Sequence, residues 1–130
     1  MHKSYGVTAA MLGASGVALG AFGAHGLQKL TTDPAIIHSY QTGVEYQLYH
    51  ALALLGISIL FKFADVKFLK IAAMLMVAGI ICFSGSLYLL TILKINGAAN
   101  FKWVGPITPL GGLLMIAGWL CIVPAILRKK

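Results

Sequence analysis

Residues 4–24, SYGVTAAMLGASGVALGAFGA, form an apolar run without a single Lys, Arg, Asp or Glu. A helix crosses the roughly 30 Å of bilayer hydrocarbon in about twenty residues, so a run of this length predicts a membrane helix. Lys3 and the small residues that follow also resemble a secretory signal peptide, although the run is longer than the usual signal core. We therefore expect a retained transmembrane helix over residues 4–24.

Three further apolar runs follow at residues 44–61, 69–93 and 104–127. The chain has 130 residues, of which 59% are hydrophobic and only 10% charged, and a soluble domain of that composition would have too apolar a surface. The short stretch between the second and third runs predicts that they form an antiparallel hairpin. We predict a single all-α domain over residues 1–130, an integral membrane bundle of four transmembrane helices.

The net charge of +7 comes from cations that flank the apolar runs, so it indicates membrane topology and not a nucleic-acid partner. The side that holds both termini and the second connection carries seven of them: Lys3, Lys62, Lys67, Lys70, Arg128, Lys129 and Lys130. The opposite side carries three: Lys29, Lys94 and Lys102. Because cytoplasmic loops are enriched in Lys and Arg, we expect both termini in the cytoplasm.

Small residues recur along the first run at steps of three and four. The glycines of this predicted packing stripe are Gly13, Gly16, Gly20 and Gly23. Helices in lipid associate through close backbone contact, which small side chains permit. We therefore expect the first helix either at the buried centre of the bundle or in contact with another copy of the chain, and we expect a homo-oligomer.

The connections carry helix-start signals. Asp33 followed by Pro34 predicts a helix that starts at Pro34, lies along the outer surface and bends near Gly43 into the second span. In GPITPLGG, residues 105–112, Thr108 before a first-turn proline fits an N-cap. The alternative is a re-entrant or broken segment at 105–109, which the glycines and prolines there also allow.

With this topology the polar side chains fall in the outer halves of the helices. Glu45 is the only acidic residue within or bordering a span, and an ionisable group at that depth is a functional candidate by default. We expect Tyr49, His25 or His50 as its partners. The candidate ligand-binding residues are His25, Gln41, Glu45, Tyr46, Tyr49, His50, Ser84, Ser86, Tyr88 and Thr108.

Other chemistries find less support in the sequence. Cys82 and Cys121 lie roughly 16 Å and 25 Å from the outer ends of their helices, too different in depth for a disulfide, so we expect them to be packing residues. His25 and His50 differ by roughly 8 Å in depth, which disfavours paired haem ligands. We predict no metal, no cofactor and no catalytic residue, because no nucleophile and base can be paired.

Four ordered blocks resemble a known family: GAFGAHGL (20–27), TGVEYQLYHALALL (42–55), FSGSLYLL (83–90) and VGPITPLGG (104–112). They are similar to domain of unknown function family 423, small bacterial membrane proteins related to transmembrane protein 256 of animals. The resemblance implies four transmembrane helices in the plasma membrane and no established activity. It marks as motif positions His25, Gly43, Glu45, Tyr46, Gln47, Tyr49, His50, Ser84, Gly85, Ser86, Tyr88, Gly105, Pro106, Thr108, Pro109, Gly111 and Gly112.

These observations favour an outward-facing polar pocket that binds a small molecule, a lipid head group or an ion. Glu45 would supply charge or accept a proton, and His25 and His50 would donate or relay one. Transport is an open extension, but the inner halves of the helices contain almost no polar residues. The alternative is a structural or assembly protein in contact with the lipid bilayer, whose polar cluster only locks helix ends.

Overall fold

A computed structural model of the chain describes residues 1–128, which are helical with no strand among them. The helices are α1 (Lys3–His25), α2 (Leu27–Leu30), α3 (Pro34–Leu60), α4 (Val66–Ile95) and α5 (Ile107–Leu127), with a 3-10 turn at Lys102–Val104. Three segments are long and apolar enough to cross a membrane: α1, α4 and Lys102–Leu127. The predicted all-α class with membrane-spanning helices is therefore confirmed. The predicted second span, 44–61, lies in α3 except for its last residue, and the 27 residues of α3 extend about 40 Å.

The predicted start of α3 is confirmed, whereas the predicted N-cap of α5 is wrong. Asp33 occupies the N-cap position of α3, where its carboxylate accepts a 2.9 Å hydrogen bond from the backbone N–H of Ala35, and the helix then continues unbroken through Gly43. In α5 the N-cap position belongs to Pro106, and Thr108 lies inside the first turn. The Thr108 hydroxyl is held by α4 instead of capping its own helix.

The four long helices pack in the order α1, α3, α4 and α5. The turn at residues 61–65 returns the chain along itself, so α3 and α4 form the predicted antiparallel hairpin. Near this turn, buried apolar residues form one core: Ala9, Leu54, Ile57, Phe61, Ala64, Leu69, Ala72, Ala73, Met76 and Ala125. A smaller cluster of Leu27, Tyr40 and Val44 lies at the other end.

Backbone hydrogen bonds bring the two ends of the described chain and the α3–α4 connection together at one end of the bundle, here called the terminal end. The N–H of His2 donates to the carbonyl of Ser58 (2.8 Å), and the N–H of Asp65 donates to the carbonyl of Ala125 (3.0 Å). The beginning of α1, the α3–α4 connection and the last turn of α5 therefore lie together. Lys129 and Lys130 lie outside the described residues. The opposite end, with α2 and the α4–α5 connection, is called the distal end.

Of the two positions expected for α1, the buried centre of the bundle is wrong, because only Ala9, Gly16 and Gly23 of this helix are buried, and contact with another copy of the chain stays a prediction. A Cβ atom added at Gly16 would come within 2.8 Å of Leu48 Cδ2, and one at Gly23 within 2.6 Å of Tyr40 Cε1. One side of α1 therefore lies directly on α3. Because the rest of the helix is exposed or only partly buried, α1 is a peripheral helix of the chain.

Candidate functional site

Gln47 joins three helices through one buried amide. Its Nε2 donates hydrogen bonds of 2.9 Å to both the carbonyl of Leu12 and the hydroxyl of Ser15 in α1. Its Oε1 accepts a 2.7 Å hydrogen bond from the Tyr88 hydroxyl of α4. The side chain is only 5% exposed, so α1, α3 and α4 meet at this residue away from the surface.

Two further hydrogen bonds lie next to Gln47, and both depend on close approach of the helices. Ser84 donates from its Oγ to the carbonyl of Gly43 at 2.6 Å, and a Cβ at Gly43 would lie 3.1 Å from Tyr88 Cε1. Tyr40 donates from its hydroxyl to the carbonyl of Leu19 at 2.5 Å, with its ring over Gly23. Glycine at both positions therefore lets a polar side chain reach a backbone carbonyl of the neighbouring helix.

His50 links α3 to α5, and its partners define its tautomer. The indole N–H of Trp119 donates to His50 Nε2 at 3.1 Å, and an indole nitrogen is only ever a donor. Nε2 must therefore accept, so the proton is on Nδ1, which donates to the carbonyl of Tyr46 at 2.7 Å. Both ring nitrogens therefore have partners within the chain, which leaves neither free to bind a haem iron.

A hydroxyl pair joins α4 to the start of α5. The oxygens of Ser86 and Thr108 are 2.5 Å apart, and Ser86 also donates to the carbonyl of Phe83 in its own helix. Since Ser86 donates to Phe83, Thr108 is the donor between the two hydroxyls. The ring of Tyr46 lies 4.6 Å from that of Phe83 and stacks on His50, which extends the contact among α3, α4 and α5.

The described residues contain no fully buried side-chain nitrogen or oxygen without a hydrogen-bond partner. The predicted site residues that take part in contacts between helices are Tyr46, His50, Ser84, Ser86, Tyr88 and Thr108. Their buried polar atoms are satisfied by the chain itself. This arrangement fixes the relative positions of the helices.

A second group of predicted residues lies on the surface. Gln41 and Glu45 line a cleft of about 340 Å³ between α1 and α3, whose other lining residues are Gly20, Gly23, Ala24, Tyr40 and Val44. Within residues 1–128, Glu45 has no ion pair or hydrogen bond, so none of its expected partners contacts it in this way. His25 is exposed at the end of α1, and Tyr49 exposes 56% of its surface.

The prediction of site residues omitted two that connect the helices. Gln47 was recognised only as a motif position, although an amide in the middle of a long apolar helix is itself a signal of a contact between helices. Trp119 was not in the predicted set, and its role depends on a partner 69 positions earlier in the chain. Local sequence offers no signal for that pairing.

The helical bundle, its segments of membrane-spanning length and its hydrogen bonds between helices define an integral membrane protein, in contact with the lipid bilayer. The chain belongs to the family described as "Protein of unknown function (DUF423)", whose model matches residues 19–112. The resemblance found in the sequence is therefore confirmed.

Relatives from distant organisms share most of the chain. "UPF0382 membrane protein YwdK" of Bacillus subtilis is 42% identical over 113 residues, which is 86% of each chain. "UPF0382 membrane protein C1782.12c" of Schizosaccharomyces pombe is 37% identical over 85% of this chain and 91% of its own. A "UPF0382 membrane protein" of Haemophilus influenzae is 36% identical over all of this chain and 98% of its own. No solved structure matches the chain.

Proposed function

We propose that this is a single-domain plasma-membrane protein with four spans that binds a positively charged group in the cleft between α1 and α3. The observation that carries the proposal is the Glu45 carboxylate, which lines a cleft of about 340 Å³ and has no bonded partner within residues 1–128. An unpaired carboxylate at membrane depth is costly, so a cation would lower its free energy. The ligand is a small organic cation or the ammonium head group of a lipid.

The neighbouring residues fit such a ligand. Gly20 and Gly23 leave the wall of α1 without side chains, and Gln41 adds an exposed amide one turn before Glu45. Tyr49, one turn after Glu45, exposes an aromatic ring that can attract a cation through its face. His25 follows the cleft residue Ala24 directly and borders the distal entrance.

We propose that the chain binds its ligand and does not conduct it across the membrane through a single copy. A hydrophilic path from Ser84 towards the terminal end would need polar side chains in the core. Among the described residues, the buried polar side chains in that direction are Gln47, His50 and Ser58, and each is already hydrogen-bonded within the chain, to Leu12, Ser15 and Tyr88, to Tyr46 and Trp119, and to Leu55. This core therefore gives an ion no replacement for its hydration shell.

A structural or assembly protein is the second candidate, and the saturated hydrogen bonds between helices favour it. A groove of about 400 Å³ also runs between α1 and α3, with small residues such as Ala10 and Gly13 on one side and Leu52 on the other. A Cβ added at Gly13 would meet no atom within 4 Å, so this surface has room for another helix. Such a role would make the chain a homo-oligomer or a subunit of a larger assembly.

Thermal unfolding of the purified protein in detergent separates the two candidates. The probes are choline, ethanolamine, tetramethylammonium and a short-chain phosphatidylethanolamine. We expect at least one to raise the Tm of the wild type and to have no effect on Glu45→Gln. The ligand-free Tm of Glu45→Gln should stay unchanged or rise, because Glu45 bonds no other described residue and a neutral amide costs less at that depth than an unpaired carboxylate.

His50→Phe is the comparison variant for this experiment. It should lower the ligand-free Tm, since it removes the bonds to Trp119 and Tyr46, yet keep the rise on ligand addition. If no probe moves the wild type and Glu45→Gln itself lowers the Tm, the binding proposal fails and the structural candidate stands.

A further inference from the structure

An apolar cavity of about 290 Å³ lies at the distal end, separate from the Glu45 cleft except that Tyr40 borders both. Helices α1, α2, α3 and α4 all contribute to its wall. Its apolar lining residues are Leu19, Phe22, Leu27, Leu30, Ile92 and Ile95. Neither the predicted polar site nor the proposed cation binding accounts for this cavity.

Three of the four polar side chains in the wall are already engaged elsewhere, and the fourth, Asn96, is exposed. The hydroxyls of Tyr40 and Tyr88 donate to the Leu19 carbonyl and to Gln47, and the hydroxyl of Thr91 donates to the carbonyl of Leu87. The lining thus offers an occupant almost no hydrogen bonds. Apolar cavities of about 150 Å³ stay dry and bind hydrocarbons, so a larger one of this kind suits an apolar chain better than water.

The position of the cavity identifies the source of that chain. Leu30 exposes 59% of its surface and Ile92 exposes 56%, so the mouth faces the surroundings of the helices, which in a membrane protein are lipid. Lys29 is exposed on α2 between the lining residues Leu27 and Leu30, and it has no ion pair among residues 1–128. A cation next in sequence to residues that line an apolar cavity matches the arrangement of phosphate and acyl chain in a phospholipid.

We propose that this cavity holds one acyl chain of a membrane phospholipid, with the phosphate of that lipid beside Lys29. The short helix α2 contributes to both parts of the site: Leu27, 1% exposed, is buried in the cavity wall, while Lys29 is exposed. The bound chain fills the space among α1, α3 and α4 that the protein's own side chains leave open.

The test uses the full chain in lipid nanodiscs with a phosphatidylglycerol that carries a photoactivatable diazirine on one acyl chain. After irradiation, mass spectrometry locates the labelled residues. We expect labelling to concentrate on Leu30, Ile92 and Ile95 and to exceed that of equally exposed residues on α5. Labelling spread evenly over all exposed apolar residues would overturn the proposal.

Two tryptophan variants form a matched pair for this experiment. Ile92 and Ile116 are each 56% exposed, but only Ile92 lines the cavity. Ile92→Trp should reduce cavity labelling severalfold, and Ile116→Trp on α5 should leave it unchanged. Leu30→Trp, with Leu113→Trp as its control, repeats the comparison if Ile92→Trp fails to fold. Equal labelling in the members of a pair would contradict the proposal.

Charge variants and competing lipids identify the molecule that fills the cavity. Lys29→Gln should lower cavity labelling by the phosphatidylglycerol about fivefold, the factor expected of one cation near lipid phosphate, and Lys102→Gln should not. Competition by oleate but not by phospholipid would assign the cavity to a free fatty acid and overturn the proposal. If lipid labelling occurs in nanodiscs that hold one chain but is lost in nanodiscs that hold two, the cavity is filled by a second copy of the chain. That result would also overturn the proposal. None of these results depends on Glu45, so the cation proposal is tested separately.

Discussion

At the scale of single residues, Gln47 is a side chain of α3 that hydrogen-bonds two other helices, α1 and α4. Gln47→Leu keeps the size of the side chain but removes three hydrogen bonds and leaves the Tyr88 hydroxyl without its acceptor. Hydrogen bonds between membrane helices contribute about 0.6 kcal/mol each, and an orphaned buried group adds to the loss. We expect the free energy of unfolding to fall by about 1–3 kcal/mol.

Gln41→Leu is the control for this substitution. It makes the same chemical change six positions earlier on α3, where the side chain is exposed. Unfolding of both variants in the same detergent should show a clear loss for Gln47→Leu and little change for Gln41→Leu. Equal stability of the two variants would mean that the Gln47 amide does not hold the helices together.

The contrast between Glu45 and Gln47 explains what the sequence could predict of the site. Both were recognisable as polar residues within an apolar helix, but they are 200° apart around it at 100° per residue. In a soluble helix the apolar side would reveal which one faces the interior. In α3 both faces are apolar, because lipid and the protein core favour the same side chains. Only the packed structure shows that Gln47 faces the interior and Glu45 the surface.

At the scale of elements, the glycines of α5 provide a direct test of how closely α4 and α5 approach. A Cβ atom at Gly111 would overlap the backbone N and Cα of Phe83, whereas a Cβ at Gly112 would meet only the Phe83 ring, at 3.8 Å. Backbone cannot move aside as a flexible side chain can, so Gly111→Ala should cost about 1–3 kcal/mol. Gly112→Ala should be neutral or slightly stabilising, because alanine favours the helix.

Thermal unfolding of the two alanine variants checks this prediction, and fluorescence quenching of Trp119, measured with Trp103→Phe because the chain has two tryptophans, reports whether α5 has shifted. Trp119 is half exposed and bonded to His50, so displacement of α5 should alter its emission in Gly111→Ala alone. A Gly111→Ala protein as stable as the Gly112 variant would show that the two helices are further apart than described.

Helix existence was easier to predict than helix contacts. The spans predicted at 4–24 and 69–93 lie within α1 and α4, and Asp33 with Pro34 marked the start of α3, since these signals depend only on neighbouring residues. Thr108 was wrongly predicted as the N-cap of α5, because its sequence context fits a cap. Its hydroxyl donates instead to Ser86, 22 positions earlier, and a local pattern cannot register a competing partner from another helix.

At the scale of the whole molecule, the contacts at the terminal end make a further test of topology available. The bonds from His2 to Ser58 and from Asp65 to Ala125 bring the beginning of α1, the α3–α4 connection and the last turn of α5 to one end. The cations Lys3, Lys62, Lys67 and Lys70 belong to the segments that meet there. With four spans, this whole end would lie on a single side of the membrane.

We expect the terminal end in the cytoplasm, because cationic segments are retained on that side during insertion. In a Cys82→Ala/Cys121→Ala background, Lys29→Cys places a thiol at the distal end and Lys67→Cys places one at the terminal end. A membrane-impermeant maleimide should label Lys29→Cys in intact cells and Lys67→Cys only after the cells are opened. The reverse pattern would invert the topology, and labelling of both thiols in intact cells would rule out their lying on opposite sides of the membrane. Because α3 is the one long helix not counted among the three apolar spans, that last outcome would remove it from the membrane-crossing set.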